Sequence, residues 1–151
     1  MRLETVAVIG AGAWGTALAQ AAASAGRAVT LVGRDPAVIA DVNRSRRNTR
    51  HLGDLPLSDG LTAATELPEA DLVILAAPAQ QSRAALSGFA PSLAGKPVIL
   101  SAKGLEAGTL KRQSEILGEV VPGAVPYILS GPSFAADVAA GRPTAVTLAG
   151  D

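Results

Sequence analysis

Three glycines, Gly10, Gly12 and Gly15, constrain this chain more than any other feature, because of what stands on either side of them. Val6, Ala7, Val8 and Ile9 precede them as an unbroken apolar run, and an alanine-rich segment, Thr16 to Ala25, follows. Such a run is the pattern of a strand buried on both faces of a parallel sheet. Each glycine has its own part in the passage from strand to helix. Gly10 allows the tight turn, Gly12 lets the backbone approach a pyrophosphate with no Cβ in the way, and Gly15 lets the helix pack closely on the strand. The helix beginning there turns its unpaired N–H groups and positive end toward the phosphates. Alone, a glycine triplet is a weak signal. Between an apolar strand and an apolar-faced helix, with a second strand at Val29 to Val32, it predicts a dinucleotide-binding unit.

The remainder of the chain repeats the alternation. Ala17, Leu18, Ala21, Ala22 and Ala25 recur at helical spacing, and Gly26 stops the first helix. The second strand ends in Gly33-Arg34-Asp35-Pro36. Pro36 opens a second helix striped by Val38, Ile39 and Val42, which fades into residues 43–52. Residues 53–60 have loop composition, and Leu61 to Ala64 reads as a short edge strand. Asp71 to Ala77 reads as a buried strand closed by Pro78, and Gln80 to Leu93 as a helix with Ala84, Ala85, Leu86 and Phe89 inward. Val98 to Ser101 and Val125 to Leu129 are further strands, with a helix from Leu110 to Leu117 between them. A helix from Phe134 to about Ala140 and a strand from Thr144 to Ala149 complete the pattern. Strands alternating with helices imply an α/β fold: a doubly wound, parallel, Rossmann-type sheet with right-handed crossovers. Its ligand crevice lies beyond the carboxyl ends of the strands, beside the first strand.

Composition narrows the chemistry. The 151 residues fit one domain, 1–151, and carry 13 basic and 13 acidic side chains. Net charge of zero gives no global electrostatic case for nucleic acid or an anionic membrane. The absence of cysteine removes disulfides, thiolate metal sites and Cys nucleophiles. With His51 the only histidine, a His-based metal site or a Ser-His-Asp triad is not expected. No apolar run approaches the roughly 20 residues of a membrane span, and the N-terminus has no signal-peptide pattern, so the cytoplasm is the expected location.

Chemistry is left to the loops at the strand ends. Arg34 stands where an acidic residue would hold both ribose hydroxyls of NAD, and an arginine there accommodates a 2′-phosphate. Asp35 is its neighbour, so the expectation is NAD(P)H with NADP tolerated or preferred; a surface Arg34–Asp35 pair is the plainer reading. Trp14, the only tryptophan, either packs under the phosphate loop or covers the ligand. Arg44, Arg46, Arg47 and Arg50 form either a solvated basic face or an attraction for a phosphorylated ligand. Lys103 follows a buried strand, so its ammonium can project into the crevice toward a phosphate or a polarised carbonyl. Gly131 and Ser133 sit where a strand turns into a helix and offer N–H groups and a hydroxyl to an anionic or hydroxylated ligand; a plain helix cap by Ser133 is the other reading and can coexist with that contact.

Together these residues resemble the N-terminal domain of the bacterial-type NAD(P)-dependent sn-glycerol-3-phosphate dehydrogenases. The matching strings are G-A-G-A-W-G-T-A-L-A at 10–19, G-R-D-P at 33–36, N-x-x-R-x-N at 43–48, K-G-L-E at 103–106, S-G-P-S-F-A at 130–135 and P-T-A at 143–145. The resemblance implies reversible hydride transfer between glycerol 3-phosphate and glycerone phosphate, feeding glycerophospholipid synthesis. It assigns Gly10, Gly12, Ala13, Trp14, Gly15, Arg34, Lys103 and Ala135 to the cofactor, with His51 near adenine. It assigns Lys103, Gly131 and Ser133 to a small phosphorylated substrate. Ala13 replaces a common serine, so its contact can be through backbone alone, and Asp137 stands where Glu is common.

The family has a second, helical domain carrying the general-base lysine. None of its residues is expected here, so the resemblance assigns no catalytic residue to this chain, which reads as a piece of a longer protein; a homodimer is compatible with the full-length form. A stand-alone regulatory NAD(P)-sensing module is the alternative, but it does not account for K-G-L-E or S-G-P-S-F-A. A 6-phosphogluconate or ketopantoate reductase domain would share the glycines without those strings. A purely structural subunit would not need the phosphate loop.

Overall fold

The computed structural model describes residues 3–150. Seven strands form one sheet in the order β3-β2-β1-β4-β5-β6-β7. The strands are β1 (Thr5–Ile9), β2 (Ala28–Val32), β3 (Leu61–Ala64), β4 (Leu72–Leu75), β5 (Pro97–Leu100), β6 (Val125–Ser130) and β7 (Thr147–Ala149). The first six are parallel, with Val8 of β1 beside Leu31 of β2 and Ile74 of β4. Strand order reverses between β1 and β4, so the two connections leaving these strands diverge and open a crevice.

Helices cover both faces. On one side α1 (Ala13–Ser24) and α2 (Pro36–Ser45) enclose Val6, Val8, Val29, Leu31 and Leu61. On the other, α4 (Ser82–Leu93) and α5 (Gln113–Val120) enclose Ala7, Ile9, Val73, Leu75, Val98 and Leu100. Alternate residues of β1 thus enter opposite cores, which is why Val6 to Ile9 are all apolar. A single turn, α3 (Thr49–Leu52), follows α2, and α6 (Ala135–Ala139) packs on α1.

The elements expected from sequence are present, with corrections to their ends, direction and facing residues. Strand β7 runs antiparallel to β6. Helix α6 has five residues, about 7.5 Å of rise, too short to return the chain past six residues of β6, about 20 Å. The chain therefore re-enters the sheet at the end it left, Thr147 opposite Ser130. Residues 144–146 are not strand, because this segment lies against the turn after β6: the Ser133 hydroxyl donates to the Ala145 carbonyl at 3.2 Å.

Helix α5 begins at Gln113, three residues later than the apolar spacing predicts. Leu110 is left-handed (φ 56°) and exposed, inside a loop closed by Glu106 N–H to Lys111 carbonyl and Leu110 N–H to Glu106 carbonyl, both 2.9 Å. Helix α3 occupies part of a stretch read as a fading helix, set off by left-handed Arg46 (φ 54°). In α1, Ala21 and Ala25 face outward, while Thr16, Ala19, Gln20 and Ala23 are buried. In α4, Ala84 is exposed. It faces the crevice rather than the core.

Among the described residues no helix is long and apolar enough to cross a membrane. None of their acidic, histidine or cysteine side chains gathers into a metal-binding group.

Candidate functional site

The crevice at the strand-order reversal is an open cleft of about 970 Å³, at the upper end of the range for small-ligand sites. One wall is the loop from Gly10 to Gly15, the next the end of β2 with Arg34 and Asp35, joined by His51 of α3. Opposite stand Ala76 to Ala79 after β4, the Ala84, Gly88 and Phe89 face of α4, and Ser101 to Lys103 after β5.

The three glycines differ in what a side chain would meet. At Gly10, φ is +115° and an added Cβ would lie 2.8 Å from the Ala76 carbonyl oxygen. At Gly15 it would lie 1.8 Å from the Gly10 carbonyl oxygen and 3.2 Å from the Ala76 side chain. Both positions are glycine for the sake of the fold. At Gly12 the added Cβ would meet nothing within 4 Å. Gly12 also precedes α1 with ordinary φ (−78°), so neither conformation nor packing asks for glycine there. Its missing side chain leaves room on the cleft side, where a pyrophosphate can come close to backbone.

The start of α1 is prepared for an anion. No side chain caps it and no acidic residue lies in its first turn. The N–H groups of Gly12 and Ala13 take no partner among the described residues. Helix α2, by contrast, is capped by Asp35, whose Oδ1 accepts from the Ala37 N–H at 2.9 Å. The orphan donors of α1 are therefore available to a ligand.

At the adenosine end of such a ligand, Asp35 is already occupied. Its second carboxylate oxygen pairs with Arg50, so the pair expected between Arg34 and Asp35 is replaced by Arg50–Asp35. Arg34 is exposed at the cleft edge, with one long contact, 3.4 Å, to Gln81 Oε1. The carboxylate that would select an unphosphorylated ribose is thus engaged twice, and the guanidinium that would accept a 2′-phosphate is nearly free. The other basic residues do not form one anion patch. Arg46 donates to the Leu61 and Ser58 carbonyls, and Arg47 to the Asp54 carbonyl at 3.2 Å.

Trp14 stands between core and cleft. It packs against the core of Val6, Val8 and Leu18, and it lines the cleft. Lys103 also reaches where the sequence places it, and its ammonium donates to the Gly131 carbonyl at 2.9 Å. The ends of β5 and β6 are so joined. Ser133 and Ala135 lie outside the cleft wall, and Ser133 directs its hydroxyl to the Ala145 carbonyl. Thus eight of the nine residues assigned to the cofactor line one cleft, Ala135 being the exception.

The K-G-L-E loop is held from outside. Arg83 of α4 grips Glu106 with two parallel bonds of 2.8 and 2.9 Å and reaches Glu119 of α5 at 3.0 Å. The Arg83 guanidinium, with help from the Thr109 hydroxyl, pulls the Glu106 carboxyl down to about 2. Gln80 donates to the Leu105 carbonyl at 2.8 Å and accepts from the Ala107 N–H at 2.7 Å. Glu106 was legible in sequence only as a letter of a string; its role in the loop needs α4 beside it.

Comparison with known proteins agrees with this geometry. The family model described as NAD-dependent glycerol-3-phosphate dehydrogenase N-terminus matches residues 5–151. A glycerol-3-phosphate dehydrogenase [NAD(P)+] of Caulobacter vibrioides is 50% identical over 153 residues, covering 99% of this chain and 46% of that protein. One from Bradyrhizobium sp. is 51% identical over 152 residues, covering 98% of this chain and 46% of its own length. The crystal structure of glycerol-3-phosphate dehydrogenase from Coxiella burnetii superposes with TM-score 0.88 at 28% identity, covering 97% of this chain and 46% of that one. This chain spans about half the length of these relatives, whose names leave the regulatory-module alternative without support. The chain belongs to the family of N-terminal domains of NAD-dependent glycerol-3-phosphate dehydrogenases.

Proposed function

We propose that this chain is the cofactor-binding half of a cytoplasmic oxidoreductase that interconverts sn-glycerol 3-phosphate and glycerone phosphate with NAD(P)(H). The observation carrying the reading is the open space over Gly12, between two glycines whose Cβ positions are already filled. When bound, the nicotinamide supplies or accepts the hydride. The Gly12 and Ala13 N–H groups hold the pyrophosphate, Trp14 closes the loop over the core, and Arg34 takes the adenosine ribose or its 2′-phosphate. His51 lies on the same wall of the cleft, near the adenine. Lys103 serves cofactor and substrate, with its ammonium already drawn to the Gly131 carbonyl. Gly131 and Ser133 are assigned to the substrate and Ala135 to the cofactor by the family motif they match, all three lying beyond the cleft wall.

Alcohol oxidation needs a base within hydrogen-bond reach of the hydroxyl. Lys96 is at the amino end of β5, paired with Glu69, and Lys111 pairs with Glu119. Neither lines the cleft. Lys103 does, as a binding cation. We therefore assign the general base to the half of the relatives that this chain does not span. Fluorescence titration of the chain with NADH and NADPH, paired with a glycerone phosphate reduction assay, tests the reading. Saturable binding without turnover is expected. Turnover near that of a full-length relative would place the base here and make Lys103 the suspect, and no binding of either cofactor would refute the assignment.

A further inference from the structure

The N-x-x-R-x-N string at 43–48 resembles the family without an evident role, and its last residue, Asn48, is completely buried. Its Nδ2 donates to the Ala11 carbonyl at 3.1 Å and to Thr16 Oγ1 at 2.8 Å. Thr16, equally buried, donates its hydroxyl to the Gly12 carbonyl at 2.8 Å, beside its own backbone N–H at 3.0 Å. Asn48 Oδ1 is left buried with no partner. The reverse amide orientation would set that oxygen against the Ala11 carbonyl, which has no proton to give, so the network fixes the side chain as a donor.

The consequence for the phosphate loop follows from peptide geometry. The peptide bonds are trans, and in a planar trans peptide the C=O and the next N–H point in opposite directions. Holding the Ala11 and Gly12 carbonyls inward therefore turns the Gly12 and Ala13 N–H groups outward. Neither donor takes a protein partner among the described residues. An orphaned buried amide oxygen costs stability that an apolar residue would not. The chain keeps it where the same side chain sets the direction of two anion-binding donors.

We propose that Asn48 and Thr16 form a positioning relay: from beneath the loop they fix the Gly12 and Ala13 N–H groups toward a bound pyrophosphate. The inference rests on the cofactor reading above. It predicts a role for residues that touch no ligand, on α1 and at the start of α3. Thr16→Val keeps shape and removes the hydroxyl, and Thr16→Ser keeps the hydroxyl.

NADH titrations and thermal denaturation of the parent, both Thr16 variants and Asn48→Asp provide the test. The relay predicts affinity at least tenfold weaker in Thr16→Val and within about twofold of the parent in Thr16→Ser. Thr16→Val should melt lower, because Asn48 Nδ2 loses a buried acceptor, so the titrations are run where the melts show both variants folded. Asn48→Asp, which replaces the donor by a carboxylate facing the Ala11 carbonyl, should lose at least as much affinity as Thr16→Val, and it stands in should Thr16→Val not fold. In amide NMR spectra, the signals of Gly12 and Ala13 should move in Thr16→Val and not in Thr16→Ser. Parent-like affinity in Thr16→Val or in folded Asn48→Asp, or equal losses in the valine and serine variants, would overturn the relay. A parent that fails to bind NADH would instead overturn the cofactor reading itself.

Discussion

Arg34 and Asp35 are adjacent in sequence, yet the fold gives them different obligations. Asp35 caps α2 and pairs with Arg50, while Arg34 stands at the cleft edge with one long contact. A charge-assisted bond from Arg34 to a 2′-phosphate contributes about 1.5–3 kcal/mol. Arg34→Ala should therefore weaken NADPH binding about tenfold or more and leave NADH nearly unchanged, as titration with each cofactor would reveal. Equal losses for both would make Arg34 a packing residue for adenosine. The charge of this pair was legible in sequence and its partners were not. Arg50 lies 15 residues from Asp35, and only the turn of α3 brings it alongside. Asn48 was visible only as the last letter of the 43–48 string, and its role was hidden for the same reason, since its partners Ala11 and Thr16 lie more than 30 positions away.

Elements were legible where burial alone decides them. β1, β2 and β4 are mostly apolar because two cores claim their alternate residues; β4 lies within its expected span, and β1 and β2 each begin one residue before theirs. Elements fixed by specific polar contacts were not. The late start of α5 depends on left-handed Leu110 and on the Arg112 N–H donating to Glu115 at 2.9 Å, and the direction of β7 depends on how short α6 is. The loop between β5 and α5 is held by Arg83 on Glu106. Because folding depresses the Glu106 carboxyl to about 2, its contribution to stability is complete above the unfolded value near 4.5. It is lost as pH falls through that interval. Asp71 acts in the same direction at the opposite end of the sheet. The Thr5 N–H and hydroxyl and the Glu4 N–H hold its carboxyl below the usual range while tying β1 to β4. Melting midpoints measured from pH 5 down to pH 2 should fall less steeply in Glu106→Gln than in the parent. Equal slopes would mean that the Arg83–Glu106 pair is not linked to folding.

At the scale of the molecule, two sequence halves converge on one crevice. The glycine loop, the end of β2 and α3 build its adenosine side, and the ends of β4 and β5 bring Lys103 to the other. The parallel order of β1 to β6 makes this convergence possible, because every one of those strands delivers its carboxyl end to the same edge. The proposed nicotinamide cofactor lies across Gly10 to Gly15 and uses the space above Gly12. A substitution at Gly12 separates ligand binding from folding, since an added Cβ there meets nothing within 4 Å. The direct measurement is an NADH titration of the parent and of Gly12→Val, with thermal melts of both. Similar melting midpoints are expected, with saturable binding by the parent and none by Gly12→Val. Parent-like NADH affinity in a folded Gly12→Val protein would contradict it.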